Sequence, residues 1–162
     1  MKKVWMLVVL TLLLTGCGAE VTMETVADEL VQAASAQPKQ IQVELPEEAV
    51  LPVMETDNGK LYLCKDYDVQ IQTLDGGDLA KTIRTVTGYD AEDLTVMQTA
   101  EGEFARSEFV WSAAGELGDQ LCRAAIMDDG SYHYVLCAMI GADKAEEYRE
   151  IWNGMFESFG VA

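Results

Sequence analysis

Alternating apolar and polar residues predict several β-strands along this chain. The stretch "IQVEL" (residues 41–45) has an apolar residue at every second position, and "YDVQIQTL" (residues 67–74) repeats the pattern. A period of two is typical of a strand with one buried face. Asn58-Gly59 predicts a turn between two extended pieces in "AVLPVMETDNGKLYLC", and Pro52 makes the first piece an irregular or edge segment.

Two stretches switch to the helical spacing of apolar residues. In "DGGDLAKTIRTVTG", Asp78 is a predicted N-cap and Gly88 a predicted C-terminal stop. A second helix is expected over residues 142–158, where Asp143 and Glu146 form an acidic variant of the capping box. The predicted apolar faces comprise Leu79, Ile83 and Val86 in the first helix and Ala145, Tyr148, Ile151, Trp152, Met155, Phe156 and Phe159 in the second.

Four further extended runs lie between residues 94 and 140, from "LTVMQT" to "SYHYVLCAMI", and turn residues separate them. Strands joined by short turns form an antiparallel meander. The whole pattern predicts an α+β fold, in which an antiparallel sheet carries a mid-chain helix and a C-terminal amphipathic helix. We expect one globular domain over residues 40–162.

The N-terminal segment has the pattern of an export signal. Lys2 and Lys3 precede an apolar run over residues 4–14, and small residues follow it. A transmembrane helix needs roughly 20 apolar residues, so this run is too short to span a bilayer. A basic head, a short apolar core and small residues at the end predict a secretory signal peptide.

Leu14-Thr15-Gly16-Cys17 resembles the lipobox of bacterial lipoproteins. The resemblance implies that residues 1–16 are cleaved as a lipoprotein signal peptide and that a diacylglyceryl group is attached to Cys17. Two acyl chains hold a protein stably at a membrane without spanning it. We therefore expect a lipid anchor on the extracytoplasmic face of the cell membrane and a tether over residues 17–39, within which residues 21–35 form a helix or an edge strand.

The charge of the chain limits the partners that it can bind. The formal net charge is −17, and removing residues 1–16, which hold two lysines and no acid, makes it −19. Nucleic-acid binding depends on lysine and arginine contacts to phosphates, so no nucleic-acid partner is expected. Anionic lipid headgroups are repelled for the same reason, which favours a domain that stands away from the bilayer.

Three cysteines remain for the domain once Cys17 is assigned to lipid. A two-residue turn at Asp129-Gly130 would place Cys122 directly opposite Cys137, within the Cα separation that a disulfide tolerates. Export permits oxidation, and the alternative is two buried thiols. Cys64 is left without a partner in either case.

Few residues suggest catalysis or metal binding. His133 is the only histidine, and it lies too far along its predicted strand from Cys137 to form a nucleophile–base pair, so a structural role is favoured. No zinc-ligand spacing occurs, and no cofactor is expected. Weaker candidates are Ca²⁺ or glycosidase carboxylates at Glu116, Asp119, Asp128 and Asp129, a phosphate site at "TLDGGDL", and a groove lined by Trp111, Tyr132 and Tyr134.

Two further resemblances concern the domain. The order of elements and the closing "FESF" are similar to the PsbP-like α/β/α sandwich, whose members mostly act as assembly or accessory modules. "LDGGDL", "DDGSYHY" and the final "SF" resemble small uncharacterised lipoproteins of gut-type Gram-positive bacteria. These resemblances favour a membrane-anchored module that binds an unknown protein or ligand. The alternatives are a cell-surface hydrolase and a lipoprotein that binds its ligand with the help of a cation.

Overall fold

The alternating stretches form one antiparallel sheet. The computed structural model describes residues 37–115 and 118–162, so the predicted signal peptide, Cys17 and Glu116 lie outside the described residues. Within them, seven strands are arranged in the order β2-β3-β4-β8-β7-β6-β5. They are β2 (Met54–Thr56), β3 (Gly59–Leu63), β4 (Tyr67–Asp75), β5 (Met97–Glu101), β6 (Phe104–Gly115), β7 (Gly118–Asp128) and β8 (Tyr132–Gly141).

Two helices cover opposite faces of this sheet, because successive residues of a strand point to opposite sides. On one face, Leu136 and Met127 pack with Phe156 of helix α2 (Arg149–Ser158). On the other, Val135 and Ile126 pack with Ile83 of helix α1 (Leu79–Thr87). We call these the α2 face and the α1 face. The predicted α+β class and the three-layer sandwich are therefore confirmed.

Helix α1 matches its prediction residue for residue. The Asp78 carboxylate accepts a hydrogen bond of 2.9 Å from the Ala80 N–H, which satisfies a donor of the first turn. Gly88 ends the helix with a φ of +80°, a conformation that glycine adopts without a steric penalty. A short 3₁₀ turn, Ala91–Asp93, follows this helix.

Helix α2 starts seven residues later than predicted. Residues 142–148 form consecutive turns, and no side chain caps the helix at Tyr148, so the proposed capping box of Asp143 and Glu146 does not form. Tyr148 instead packs on Tyr67, and its hydroxyl donates a hydrogen bond of 2.6 Å to Asp66. Ile151, which we assigned to the apolar stripe, is exposed. Neither α1 nor α2 is long and apolar enough to cross a membrane.

Two N-terminal predictions need correction. Only Ile41–Gln42 of "IQVEL" forms a strand, β1, and it pairs with β9 (Gly160–Val161) outside the main sheet. The turn between β2 and β3 contains Asp57 and Asn58, so Gly59 lies in the strand and not in the turn. A Cβ at Gly59 would approach the Ile71 carbonyl oxygen to 2.8 Å, which explains why a glycine suits this position.

Arg106 of β6 closes the C-terminal end of α2. Its guanidinium donates hydrogen bonds of 2.6 Å to the Phe156 carbonyl and 3.0 Å to the Phe159 carbonyl. Its Nε donates to Glu108 at 2.8 Å, and Glu108 also accepts a bond of 2.9 Å from Arg123. Burial raises the pKa of Glu108, but the bonds from the two arginines outweigh that effect and lower it. This network fixes α2 on its face of the sheet.

Candidate functional site

His133 is completely buried between the sheet and α1. Its Nδ1 lies 2.7 Å from the Thr82 hydroxyl, and its Nε2 lies 3.5 Å from the Asp128 carboxylate. A hydroxyl, an imidazole and a carboxylate in sequence have the composition of a nucleophile–base–acid triad. Thr82 is only 5% exposed and His133 is 0% exposed, so a substrate has no access to them. The arrangement joins α1 to the sheet, as the structural interpretation of His133 predicts.

The β7–β8 hairpin turns one residue later than predicted. Gly130 and Ser131 form its loop, and Gly130 adopts a positive φ of 86°. The cause is the Asp129 carboxylate, which accepts hydrogen bonds from the Ser131 and Tyr132 N–H groups at 2.9 and 2.7 Å. These bonds hold Asp129 in the strand-end position instead of the loop.

This shift moves the register of the hairpin by two residues. Cys122 lies opposite Met139, and Cys137 lies opposite Ala124. The predicted direct pairing of Cys122 with Cys137 is therefore wrong, and both are free thiols in the structure. Burial raises the pKa of Cys122 to about 11 and that of Cys137 to about 12. Thiols of this kind behave as core residues rather than as nucleophiles.

Cys64 is also a free thiol, at the end of β3, and it is partly exposed. Burial raises its pKa, while the neighbouring Tyr67 hydroxyl acts in the opposite direction with a smaller effect. Since nucleophilic attack requires the thiolate, a raised pKa does not favour Cys64 as a nucleophile. His133 lies on a different strand at the opposite end of the sheet, so no Cys–His pair forms.

The three candidate carboxylates that the structure describes, Asp119, Asp128 and Asp129, are not all brought together. Asp128 and Asp129 lie at the C-terminal end of β7, whereas Asp119 lies at its N-terminal end. The strand rise of about 3.3 Å per residue separates the two ends by roughly 30 Å. Glu116 lies outside the described residues. Among the residues that the structure describes, no group of three or more histidine, cysteine or acidic side chains is placed to hold a metal ion.

The predicted phosphate site and the predicted aromatic groove do not form either. In "TLDGGDL", the carboxylate of Asp78 already occupies the helix N-terminus, where a phosphate would have to bind. Trp111 packs with Phe109 on the α1 face, with ring centroids 5.7 Å apart. Tyr132 and Tyr134 pack in the core of the α2 face, so the three aromatic residues do not line one groove.

A cavity of about 610 Å³ opens at the end of the sheet where β4 and β7 begin. Asp66, Asp68 and Asp119 line it together with Lys65 and Lys144. Burial raises the pKa of Asp68, whereas the hydrogen bond from Tyr148 lowers that of Asp66. The lining is thus polar and of mixed charge, and no nucleophile is paired with a base among these residues.

The most distinctive surface lies at the β2 edge of the sheet. Nine large apolar side chains of the described residues are exposed, and five of them fall within residues 50–63, in or beside β2 and β3. Leu51 is 78% exposed and Val50 is 75% exposed, which is unusual for aliphatic residues in so acidic a chain. We call these five residues the apolar strip: Val50, Leu51, Val53, Met54 and Leu63.

The backbone of β2 and β3 places the strip on the outside of the fold. Ala49 is buried in the core of the α2 face and anchors the segment at one end. The Val53 N–H then donates to the Leu61 carbonyl at 2.8 Å, and Met54 pairs with Leu61. Met54 and Leu63 share the α1 face, but α1 covers the opposite half of that face, so both remain exposed.

Carboxylates flank the strip in the sequence. Residues 41–59 contain five acidic side chains and no lysine or arginine. Glu47, Glu48, Glu55 and Asp57 are all exposed, and the nearest base, Lys60, forms an ion pair of 2.9 Å with Glu55. This part of the surface therefore combines exposed apolar side chains with exposed carboxylates.

The sequence of the segment before β2 contains a signal for this surface. "AVLPVM" (residues 49–54) holds five apolar residues in six, yet they neither alternate as in a half-buried strand nor recur at helical spacing. Pro52 limits pairing, so such a run stays at an edge. An apolar run that fits no buried pattern indicates exposed apolar surface.

Comparison with known proteins identifies the fold. No protein-family model and no curated protein matches the sequence. The crystal structure of LpqN, involved in cell envelope biogenesis of Mycobacterium tuberculosis, is similar, with a TM-score of 0.51 and 12% identity over 79% of this chain and 87% of that one. The solution structure of cyanobacterial PsbP (CyanoP) from Synechocystis is similar at 0.50 and 10%, over 79% of this chain and 96% of that one. The chain therefore has a PsbP-like α/β/α sandwich fold.

Proposed function

We propose that this chain is a lipid-anchored, extracytoplasmic module that binds a protein partner through the apolar strip. The anchor is proposed from Leu14-Thr15-Gly16-Cys17 and the export signal before it. LpqN, a structural neighbour, is involved in cell envelope biogenesis, which agrees with this placement. The acidic surface agrees with a domain that stands away from anionic headgroups.

The observation that carries the proposal is the apolar strip. Exposing five aliphatic or thioether side chains to water is unfavourable by roughly 25 cal/mol for each Å² of apolar area, and a partner that covers them removes that cost. Contiguous apolar patches with a polar rim are typical of protein–protein interaction sites. Binding of a partner at this edge therefore accounts for the exposed apolar residues, whereas folding of the chain alone does not bury them.

A hydrolase is favoured less by the same geometry. His133 is buried against Thr82, the thiols of Cys122 and Cys137 have raised pKa values, and the candidate carboxylates lie at opposite ends of β7. Calcium-assisted binding is favoured less for the same reason, since Asp119 and Asp128 do not converge.

Site-specific photocrosslinking in cells tests this proposal. A photoreactive amino acid at position 51 should yield one dominant crosslinked protein, identified by mass spectrometry, because Leu51 lies in the strip. The same amino acid at position 92, an exposed site beyond α1, is the matched control and should not yield it. Val53→Asp should remove the product at position 51 without lowering the amount of folded protein. Identical crosslinking patterns from positions 51 and 92 would refute the proposal.

A further inference from the structure

We propose that the partner contributes an extended segment that adds as a strand to the free edge of β2, and that this segment alternates basic and apolar residues. The inference rests on the proposed function and names the chemistry of the partner. Within the described residues, it follows from three properties of this edge: outward-facing backbone groups with no backbone partner, a different chemistry on each face, and the absence of lysine and arginine from residues 41–59.

The backbone groups of Glu55 point away from the sheet. Among residues 37–115 and 118–162, β2 is the outermost strand of the sheet and β3 is its one paired neighbour. The two-residue turn of Asp57 and Asn58 makes Thr56 and Gly59 a hydrogen-bonded pair, so the next pair, Glu55 and Lys60, is not hydrogen-bonded. In an antiparallel ladder the N–H and C=O of such a residue face the other side. They are available to an added strand, which is how extended peptides bind sheet edges.

The side chains on the two faces of β2 differ in chemistry. Glu55 lies on the α2 face beside Lys60, and the two form an ion pair. Met54 lies on the α1 face, in line with Leu61 and close to the exposed Leu63. A strand laid against β2 would therefore meet a carboxylate on one face and apolar side chains on the other. Because side chains alternate along a strand, its complement alternates basic and apolar residues.

The negative charge of residues 41–59 favours some partners for the β2 edge over others. A second copy of this chain would bring another 41–59 segment, with five carboxylates and no base, against the first. An anionic bilayer would be repelled in the same way. A basic segment is attracted to the carboxylates of residues 41–59, and its apolar residues cover Met54 and Leu63.

The other edge of the sheet lacks this combination. β5 (Met97–Glu101) is also an edge strand, and all five of its residues are exposed. Met97 of β5 and Val110 of the neighbouring β6 are the exposed large apolar residues here, two against the five of the apolar strip. β5 therefore provides a control edge within the same molecule.

Synthetic octapeptides titrated into the detergent-solubilised full chain test the inference by fluorescence anisotropy. An alternating Lys-Val peptide should bind. A Glu-Val peptide, which has the opposite charge, and a block peptide of four lysines followed by four valines should each bind at least about tenfold more weakly. Equal binding of the block peptide would show attraction by charge alone and would overturn the inference.

Three variants separate backbone pairing from charge. Glu55→Pro removes the outward N–H and the carboxylate, whereas Glu55→Gln removes only the charge. We expect the Pro variant to bind the alternating peptide about tenfold more weakly than the Gln variant. Gln98→Pro, on the control edge, should leave binding unchanged. Equal affinities for Glu55→Pro and Glu55→Gln would exclude strand addition.

The two proposals can fail separately. If the crosslinked partner at position 51 persists but the alternating peptide does not bind, strand addition by a basic segment is wrong and the interaction module stands. If the peptide binds but no partner is crosslinked, the edge binds such segments in vitro and the proposed cellular function is wrong. Absence of both results would refute both proposals.

Discussion

Arg106 is a residue whose importance depends on partners about 50 positions away. Its guanidinium satisfies two carbonyl groups at the end of α2 and shares Glu108 with Arg123. Helix ends often obtain such bonds from a following glycine with a positive φ, but Gly160 lies in strand β9 and does not adopt one. Arg106 lies in a run that the sequence predicts to be a strand. The sequence gives no sign that Arg106 binds the end of α2, because these partners meet only in the folded chain.

Replacing Arg106 by methionine should destabilise the fold strongly. The change keeps an apolar side chain of similar length. It removes the hydrogen-bond donor to the Phe156 and Phe159 carbonyls and leaves Glu108 paired with Arg123 alone. We expect the free energy of unfolding to fall by about 3 kcal/mol, measured by urea denaturation. Arg84→Met is the control, because Arg84 is 68% exposed and its pair with Asp90 should contribute less than about 1 kcal/mol. Similar losses in both variants would contradict the role assigned to Arg106.

Individual residues also show which features of the fold could be predicted from the local sequence. Asp78 and Gly88 were predicted correctly, because a cap depends on contacts within one or two turns. The β7–β8 turn was predicted one residue too early, because the Asp129 carboxylate binds two N–H groups beyond it. Asp-Gly reads as a two-residue loop only when the aspartate side chain does not compete in this way. That error alone produced the incorrect pairing of Cys122 with Cys137.

At the scale of elements, the long strands were predictable and the start of α2 was not. β6, β7 and β8 are flanked by turn residues and have distinct apolar patterns, so their existence follows from the sequence. Residues 142–148 have good helical spacing, yet Tyr148 is held by Tyr67 and Asp66 in a non-helical conformation. Tertiary contacts outweigh a helix propensity of a few tenths of a kcal/mol per residue.

The two helices should respond in opposite ways to alanine at their glycines. Gly154 lies within α2, is exposed, and has no atom within 4 Å of an added Cβ. Gly154→Ala should therefore raise the free energy of unfolding by about 0.5–1 kcal/mol. Gly88 has a φ of +80°, so Gly88→Ala should lower it by about 1 kcal/mol. Thermal unfolding followed by circular dichroism measures both, and a gain from Gly88→Ala would contradict the left-handed cap.

At the scale of the whole molecule, the first described residues lie at the end of the sheet that carries the β5–β6 and β7–β8 turns. The Lys39 N–H donates a bond of 2.9 Å to the Tyr134 hydroxyl, and its ammonium pairs with Glu103 in the β5–β6 turn. Tyr134 in turn donates to Asp129 at 2.8 Å. The cavity lined by Asp68 and Asp119 lies at the opposite end of the strands from Lys39.

The anchor makes a prediction for the complete protein. Cys17→Ala should abolish incorporation of radiolabelled palmitate and release or mislocalise the chain, because the thiol is the proposed acceptor of lipid. Cys64→Ala is the matched control and should leave labelling and membrane association unchanged, since Cys64 lies at the end of β3. A Cys17→Ala protein that stays lipid-labelled and membrane-bound would refute the lipoprotein assignment.

Pairing of β1 with β9 brings residues distant in sequence side by side. Gln40 and Ala162 exchange two backbone hydrogen bonds, of 2.9 and 3.0 Å. The path of the domain is thus nearly a closed ring, in which a short linker could join residues 162 and 40 with little loss of entropy. Circular permutants cut at the exposed Gly102 turn would then carry the same sheet and the same apolar strip on a chain that starts and stops elsewhere. The position of the chain ends beside the β1–β9 pair can therefore be changed without changing the surface that we propose to bind partners.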